Sequence, residues 1–131
     1  MHRVVEQAIN EIKAAFPGHT IEAVDDGQGG AFVRAGEVLF GNQYDPSCGW
    51  IAFSIGHTYP HADIYPHYLP GVLQRHDNKN LGEGFHKQQM ALGPFSGAAT
   101  MVSRRSNRWN SGIDTAALKL AKVLDWIRSR P

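Results

Sequence analysis

Apolar residues recur along this chain in two rhythms, one near 3.6 and one near 2. At the start, Val4, Val5, Ala8, Ile9, Ile12 and Phe16 keep the helical rhythm and predict one buried stripe. Pro17-Gly18 ends that helix, since proline cannot continue the hydrogen-bond ladder and glycine permits the reversal. Period-2 runs follow. "HTIEAV" (19–24) sets Ile21 and Ala23 against polar neighbours and stops at the turn-rich "DDGQGG". "AFVRAGEVLFG" (31–41) predicts a second strand, bent at Gly36, and "GWIAFSIG" (49–56) a third, with Ile51, Phe53 and Ile55 on its apolar face. The short "DIYPHYLP" predicts a fourth strand at the sheet edge, because prolines would interrupt a central one.

From Gly71 to Gly97 no period is sustained, which predicts a long loop with at most a helical turn. The helical rhythm then returns in Ala117, Leu120, Ala121, Leu124 and Ile127, widened by Val123 and Trp126, with Asp114 as the expected cap. The order predicts an α+β fold, a four-stranded antiparallel meander flanked by N- and C-terminal helices, in one domain over 1–131.

Composition narrows the partners. A formal net charge of +1 over 131 residues does not favour nucleic acid or an anionic membrane, although "SRRSNR" concentrates three arginines. No apolar run reaches the length of a membrane span, and the opening segment is amphipathic rather than a signal peptide. One cysteine, Cys48, cannot form an intramolecular disulfide, so a cytoplasmic, reducing compartment is expected. No cofactor is expected.

"HTYPHADIYPHYLP" (57–70) holds three histidines and invites a zinc reading. Pro60 and Pro66 keep the chain out of a helix, and no cysteine or carboxylate set completes a tetrahedral site around His57, His61 and His67. No metal is expected; surface or hydrogen-bonded histidines on a stiff rim are. Tyr59-Pro60 is read as stabilising that rim, the tyrosine hydroxyl at its edge.

The strings "CGWIAFSIGHTYPHADIYPHYLP" and "NRWNSGIDTAALKLAKVLDWI" together resemble the ubiquitin-conjugating (E2-type) fold. In that family a strand runs into a "YP" element and a proline-bearing stretch, and a tryptophan, a turn and a helix follow downstream. Tyr59-Pro60, Pro66, Pro70 and Trp109 stand at those places, and "SRRSNRWNSGIDT" resembles divergent prokaryotic E2-like families encoded beside ubiquitin-like proteins and E1-like enzymes. The resemblance implies a UBC-like fold, with a ubiquitin-like protein and an E1-like activating enzyme as partners. A JAB-type peptidase is a further partner of such systems.

One departure bears on the chemistry. The family's cysteine, needed to accept an activated C-terminus as a thioester, falls by spacing near Met101, where "AATMVSRR" has none. Thr100 and Ser103 offer only an oxyester, and "HDN" (76–78) is a loose echo of the family's "HPN". The reading that follows is a non-catalytic binding or scaffold component; the alternative is an active conjugating enzyme using Cys48, Ser103 or Thr100. Cys48 is either a relocated acceptor or a small residue in a turn, and His86 either a general base or a solvated loop residue. Arg104, Arg105 and Arg108 form either a carboxylate-binding patch or a solvated basic turn. Together with Tyr59, Pro60 and the anchor Trp109 they make up the candidate partner surface.

Overall fold

A computed structural model describes residues 1–131. Helix α1 (Arg3–Ala15) is followed by β1 (Ile21–Asp25), β2 (Ala31–Leu39), the short β3 (Tyr44–Asp45) and β4 (Cys48–Ile55). Then come β5 (His67–Pro70), β6 (Gln74–Arg75), β7 (Phe85–Met90), a 3-10 turn (Gly93–Phe95), β8 (Gly97–Val102) and α2 (Ala116–Arg128). The chain is α+β, with a helix towards each end and an antiparallel main sheet in the order β1-β2-β4-β5-β8-β7. No helix is long and apolar enough to cross a membrane.

The expected meander is present as β1-β2-β4-β5, but the sheet has six strands, not four. The two extra strands, β7 and β8, come mainly from the segment read as a long loop. "FHKQQM" carries buried side chains only at its ends, Phe85 and Met90, so it shows no period-2 apolar signal and its pairing with β8 defines it. β5 is likewise interior rather than an edge. Pro66 precedes it and Pro70 ends it, so neither removes a donor from the middle of the ladder.

One row of residues crosses the inner face of the sheet: Ala23, Val33, Phe53, His67, Val102 and Phe85, each opposite the next. Both helices cover this face. Val5, Ala8, Ile9 and Ile12 of α1 and Leu120, Val123, Leu124 and Ile127 of α2 join it in one core, with Ile51, Phe53 and Ile55 fully buried. The adjacent row, Glu22, Arg34, Ala52, Tyr68, Met101 and His86, lies on the outer face. There a smaller cluster forms where Leu92 and Phe95 fold back over Ala52 and Ala99. β2 is bent as expected at Gly36: the register shifts between Ala35 and Val38, and Glu37 has φ 58°.

The α2 stripe differs from its reading in one informative way. Ala116, Lys119, Leu120, Val123, Leu124 and Ile127 are buried, whereas Ala117 and Ala121 are only half-buried. A lysine therefore belongs to the buried face. The cap is Thr115, whose hydroxyl accepts from the Leu118 amide at 3.1 Å. Asp114 instead accepts from the Asn110 amide at 2.7 Å, closing the turn before the helix.

Candidate functional site: an arginine-lined hollow beside a buried clamp

Strand β8 ends at Val102, and the chain then crosses to α2 through the loop that carries Arg104, Arg105 and Arg108. Asp63 fixes that loop. Its carboxylate accepts from the Ser106 amide at 2.7 Å, from the Ser106 hydroxyl at 3.1 Å and from the Lys119 ammonium at 3.1 Å. Lys119 also donates to the Ser106 hydroxyl oxygen at 2.8 Å. Three segments remote in sequence are thus tied at one point.

The electrostatics follow from this geometry. Burial pushes the Asp63 carboxyl up, but the Ser106 and Lys119 hydrogen bonds outweigh it and hold the group below the usual carboxylate range. Burial pulls the Lys119 ammonium below the usual lysine value, and the Asp63 hydrogen bond offsets only part of that. At neutral pH the two form an ion pair on which Lys119 is 5% exposed.

Beside the clamp the loop and α2 enclose a hollow of about 230 Å³, lined by Arg104, Arg105, Arg108, Lys119 and Lys122 with Asp114 as the lining acid. Lys122 lies 3.6 Å from Asp114. None of the three arginines has a carboxylate partner. Two instead lie over aromatic rings: Arg104 is 4.8 Å from the Trp126 ring and Arg105 4.5 Å from Tyr65. Trp126 in turn leans on Gly84, whose φ of 90° and lack of a side chain leave room for the indole; a Cβ there would sit 2.8 Å from the ring.

The structure separates the other candidate residues. Trp109 is half-buried against the core and donates its indole N–H to the Pro60 carbonyl at 2.7 Å, joining the two motif stretches. Tyr59 is not at a rim: it is 5% exposed, and its hydroxyl accepts from the Ala116 amide at 3.2 Å, at the start of α2. Met101 sits in a paired strand on the outer face, next to the Gln88 amide group. Thr100 is fully buried, donating to the Pro70 carbonyl at 3.0 Å and accepting from Lys87 at 2.8 Å. Lys87 donates as well to the carbonyls of Gly71 and Leu73.

Ser103 lies 2.7 Å from the Tyr65 hydroxyl. The Ser103 hydrogen bond and the neighbouring Arg105 both hold that phenol below its ordinary value. Cys48 is exposed at the first position of β4, opposite Leu39. His86 is not in a loop but on β7, exposed and opposite Met101. In "HDN" the Asp77 carboxylate is occupied by Arg75 through two hydrogen bonds, at 3.0 and 2.9 Å.

The three histidines part company. His57 and His61 are exposed, and no three His, Cys, Asp or Glu side chains group as metal ligands. His67, read as a surface or hydrogen-bonded residue, is fully buried in the central row, 5.0 Å from the Phe53 ring, and neither ring nitrogen has a partner. Burial pulls its pKa down to about 3, the Lys119 charge adds to the shift and Asp63 opposes it. The imidazole is neutral at any ordinary pH.

Asp63 and Lys119 were missed by the sequence reading. Lys119 carried a signal: Ala116, Leu120, Val123 and Leu124 place it inside their own stripe. Asp63 carried none, since its partners lie 43 and 56 residues away. No family model, curated protein or solved structure matches the chain.

Proposed function

We propose that the protein is a non-catalytic, E2-like binding component of a prokaryotic ubiquitin-like modification pathway. One observation carries this reading: the chain pairs an intact, arginine-lined hollow with the lack of an assembled nucleophile. The spacing of the resemblance puts its cysteine near Met101, which lies on a paired strand. A thioether cannot form a thioester, and the Thr100 hydroxyl is sealed in the core. Cys48 has an exposed thiol at the first position of β4 and no hydrogen-bonded base. The helix–meander–helix order and the Trp109–Pro60 hydrogen bond support the family resemblance. Partners are a ubiquitin-like protein and an E1-like enzyme, which meet the surface around Arg104, Arg105 and Arg108.

The test is to mix the protein with a neighbouring E1-like enzyme, ATP and the ubiquitin-like protein, and to run gels with and without reductant. No adduct is expected, and Arg105→Glu is expected to weaken partner binding. A reductant-sensitive adduct abolished by Cys48→Ala would replace the binding reading with a relocated-cysteine enzyme. A second reading has its own support in the Ser103–Tyr65 hydrogen bond with Arg105 alongside, the arrangement nearest to an activated hydroxyl. It requires an adduct that resists reductant, yields to hydroxide and disappears in Ser103→Ala.

A further inference from the structure

The charges around the hollow do not balance. Asp63 answers Lys119 and Asp114 lies near Lys122, which leaves Arg104, Arg105 and Arg108 without a counter-charge. The way two of them are held matters more than their number. A guanidinium packed against a ring loses side-chain freedom yet keeps N–H donors to spare, since it carries five. The Arg104 guanidinium carbon lies 4.8 Å from the Trp126 ring centre and that of Arg105 4.5 Å from Tyr65, so both side chains are held against rings before any ligand arrives, and Asp63 clamps the loop that carries them. Preorganisation of this kind lowers the cost of binding.

Size, charge and surroundings select the ligand. Cavities that enclose a drug-sized molecule run to roughly 300–1,000 Å³; this hollow, at about 230 Å³, takes a group rather than a whole nucleotide. A single carboxylate brings one charge and two oxygens, enough for one forked arginine contact. A phosphomonoester brings about −1.5 to −2 charges and three acceptor oxygens at neutral pH, which matches three unpaired guanidiniums better. A nucleic acid or membrane surface would call for a wide basic face, but the net charge of the whole chain is only +1. The neighbourhood suits a polypeptide instead. Ile113 and Leu118, 69% and 48% exposed, are the sequence neighbours of the lining residues Asp114 and Lys119 and offer apolar surface to the residues flanking a modified side chain.

We propose that this hollow recognises a phosphorylated serine or threonine on a partner polypeptide. The proposal rests on the binding-component reading and adds a condition to it: partner choice depends on phosphorylation.

The test uses the full chain with two probes, inorganic phosphate and a degenerate phosphoserine peptide mixture. The same mixture without phosphate, and with glutamate in place of phosphoserine, serves for comparison. Phosphate is expected to shift the amide and arginine side-chain NMR signals of 103–108 and of the facing part of α2. The phosphopeptides are expected to bind about tenfold or more tightly than either comparison mixture. Arg104→Ala with Arg105→Ala should remove that preference, and Arg104→Lys with Arg105→Lys, which keeps charge but loses the planar fork, should lose most of it. Lys13→Ala, on α1, should leave it unchanged.

Equal binding of the three mixtures would overturn the proposal, as would a preference that survives the arginine-to-alanine pair. Glutamate peptides binding as well as phosphopeptides would make the hollow a carboxylate site and overturn it too. These failures leave the gel assay untouched: no adduct with no phosphate preference removes this proposal alone, whereas an adduct removes the binding-component reading on which it rests.

Discussion

The Asp63–Ser106–Lys119 clamp and the arginine rim beside it use the same kinds of side chain in opposite ways. In the clamp every charge has a partner, and the Asp63 carboxylate accepts from two groups of Ser106 as well as from Lys119. On the rim three guanidiniums have no carboxylate at all. The clamp is largely shielded from water and the rim is open to it: Lys119 is 5% exposed, whereas Arg104, Arg105 and Arg108 are exposed. Charges paired in a low-dielectric setting hold a fold together, while unpaired charges at a surface contribute little to stability and remain available to a ligand. His67 adds a third case. It is more deeply buried than the clamp but has no partner, and it is tolerated because it stays neutral.

The largest effect should come from breaking the clamp. Asp63→Ala leaves the Lys119 ammonium and the Ser106 amide unpaired in a mostly buried setting, at a cost of about 3–5 kcal/mol, measured by denaturant unfolding. A loss no larger than that of a surface substitution would mean that the clamp is not structural. The same variant should also release the arginine loop, so binding at the hollow should weaken with it.

Next in size is acid. The folded pKa of His67 is depressed from 6.5 to about 3, so the unfolded chain takes up this proton first as pH falls. Stability from this group is complete above pH 6.5 and is lost as pH drops towards 3. Between pH 6.5 and 4 the loss should reach about 3 kcal/mol, before Asp63, held below the usual carboxylate range, begins to titrate. His67→Leu should flatten the profile in that window. It should also raise stability at pH 7 by roughly 1–2 kcal/mol, because two buried ring nitrogens no longer go unsatisfied. An unchanged pH profile in that variant would place the acid sensitivity elsewhere.

A smaller effect is expected at the start of α2. Thr115→Ala removes the hydroxyl that accepts from the Leu118 amide and should cost about 1 kcal/mol in unfolding experiments. The hollow should keep its shape, since the clamp holds Lys119 independently of the cap.

The smallest stability changes should come from the rim itself. Arg104→Ala and Arg105→Ala each give up one exposed cation–π contact, worth about 0.5–1 kcal/mol, and Arg108→Ala should lie within about 0.5 kcal/mol of the parent. Denaturation midpoints would check this. A large destabilisation from any of the three would erase the contrast between clamp and rim.

The sequence made particular parts of this architecture legible. Where local pattern and final environment agree, as in Val5, Ala8, Ile9 and Ile12 of α1 or Ile51, Phe53 and Ile55 of β4, the reading and the structure coincide. Where a strand is defined by its neighbours, the pattern is silent. Lys87 and Gln88 of β7 carry no apolar alternation, and only pairing with Thr100 and Ala99 makes them a strand. The prolines around β5 misled for the opposite reason: their number suggested an edge, whereas their places, just before the strand and at its end, leave the ladder intact. For the site, the three arginines stood out as a local cluster, while Asp63 could not, because a carboxylate acquires a role only when distant partners arrive.

By itself, then, the sequence determined the two helices, the first strands and the lack of a cysteine in the stretch around Met101 that leads to Trp109, all of which depend on residue identity and short-range spacing. Only the tertiary structure decided that His67 and Lys119 are buried, that Asp63 ties the arginine loop to α2, and that Arg104 and Arg105 pack against the rings of Trp126 and Tyr65. The physical reason is that burial and electrostatic pairing depend on which segments meet in space, and Asp63 meets Ser106 and Lys119 across 43 and 56 residues of chain.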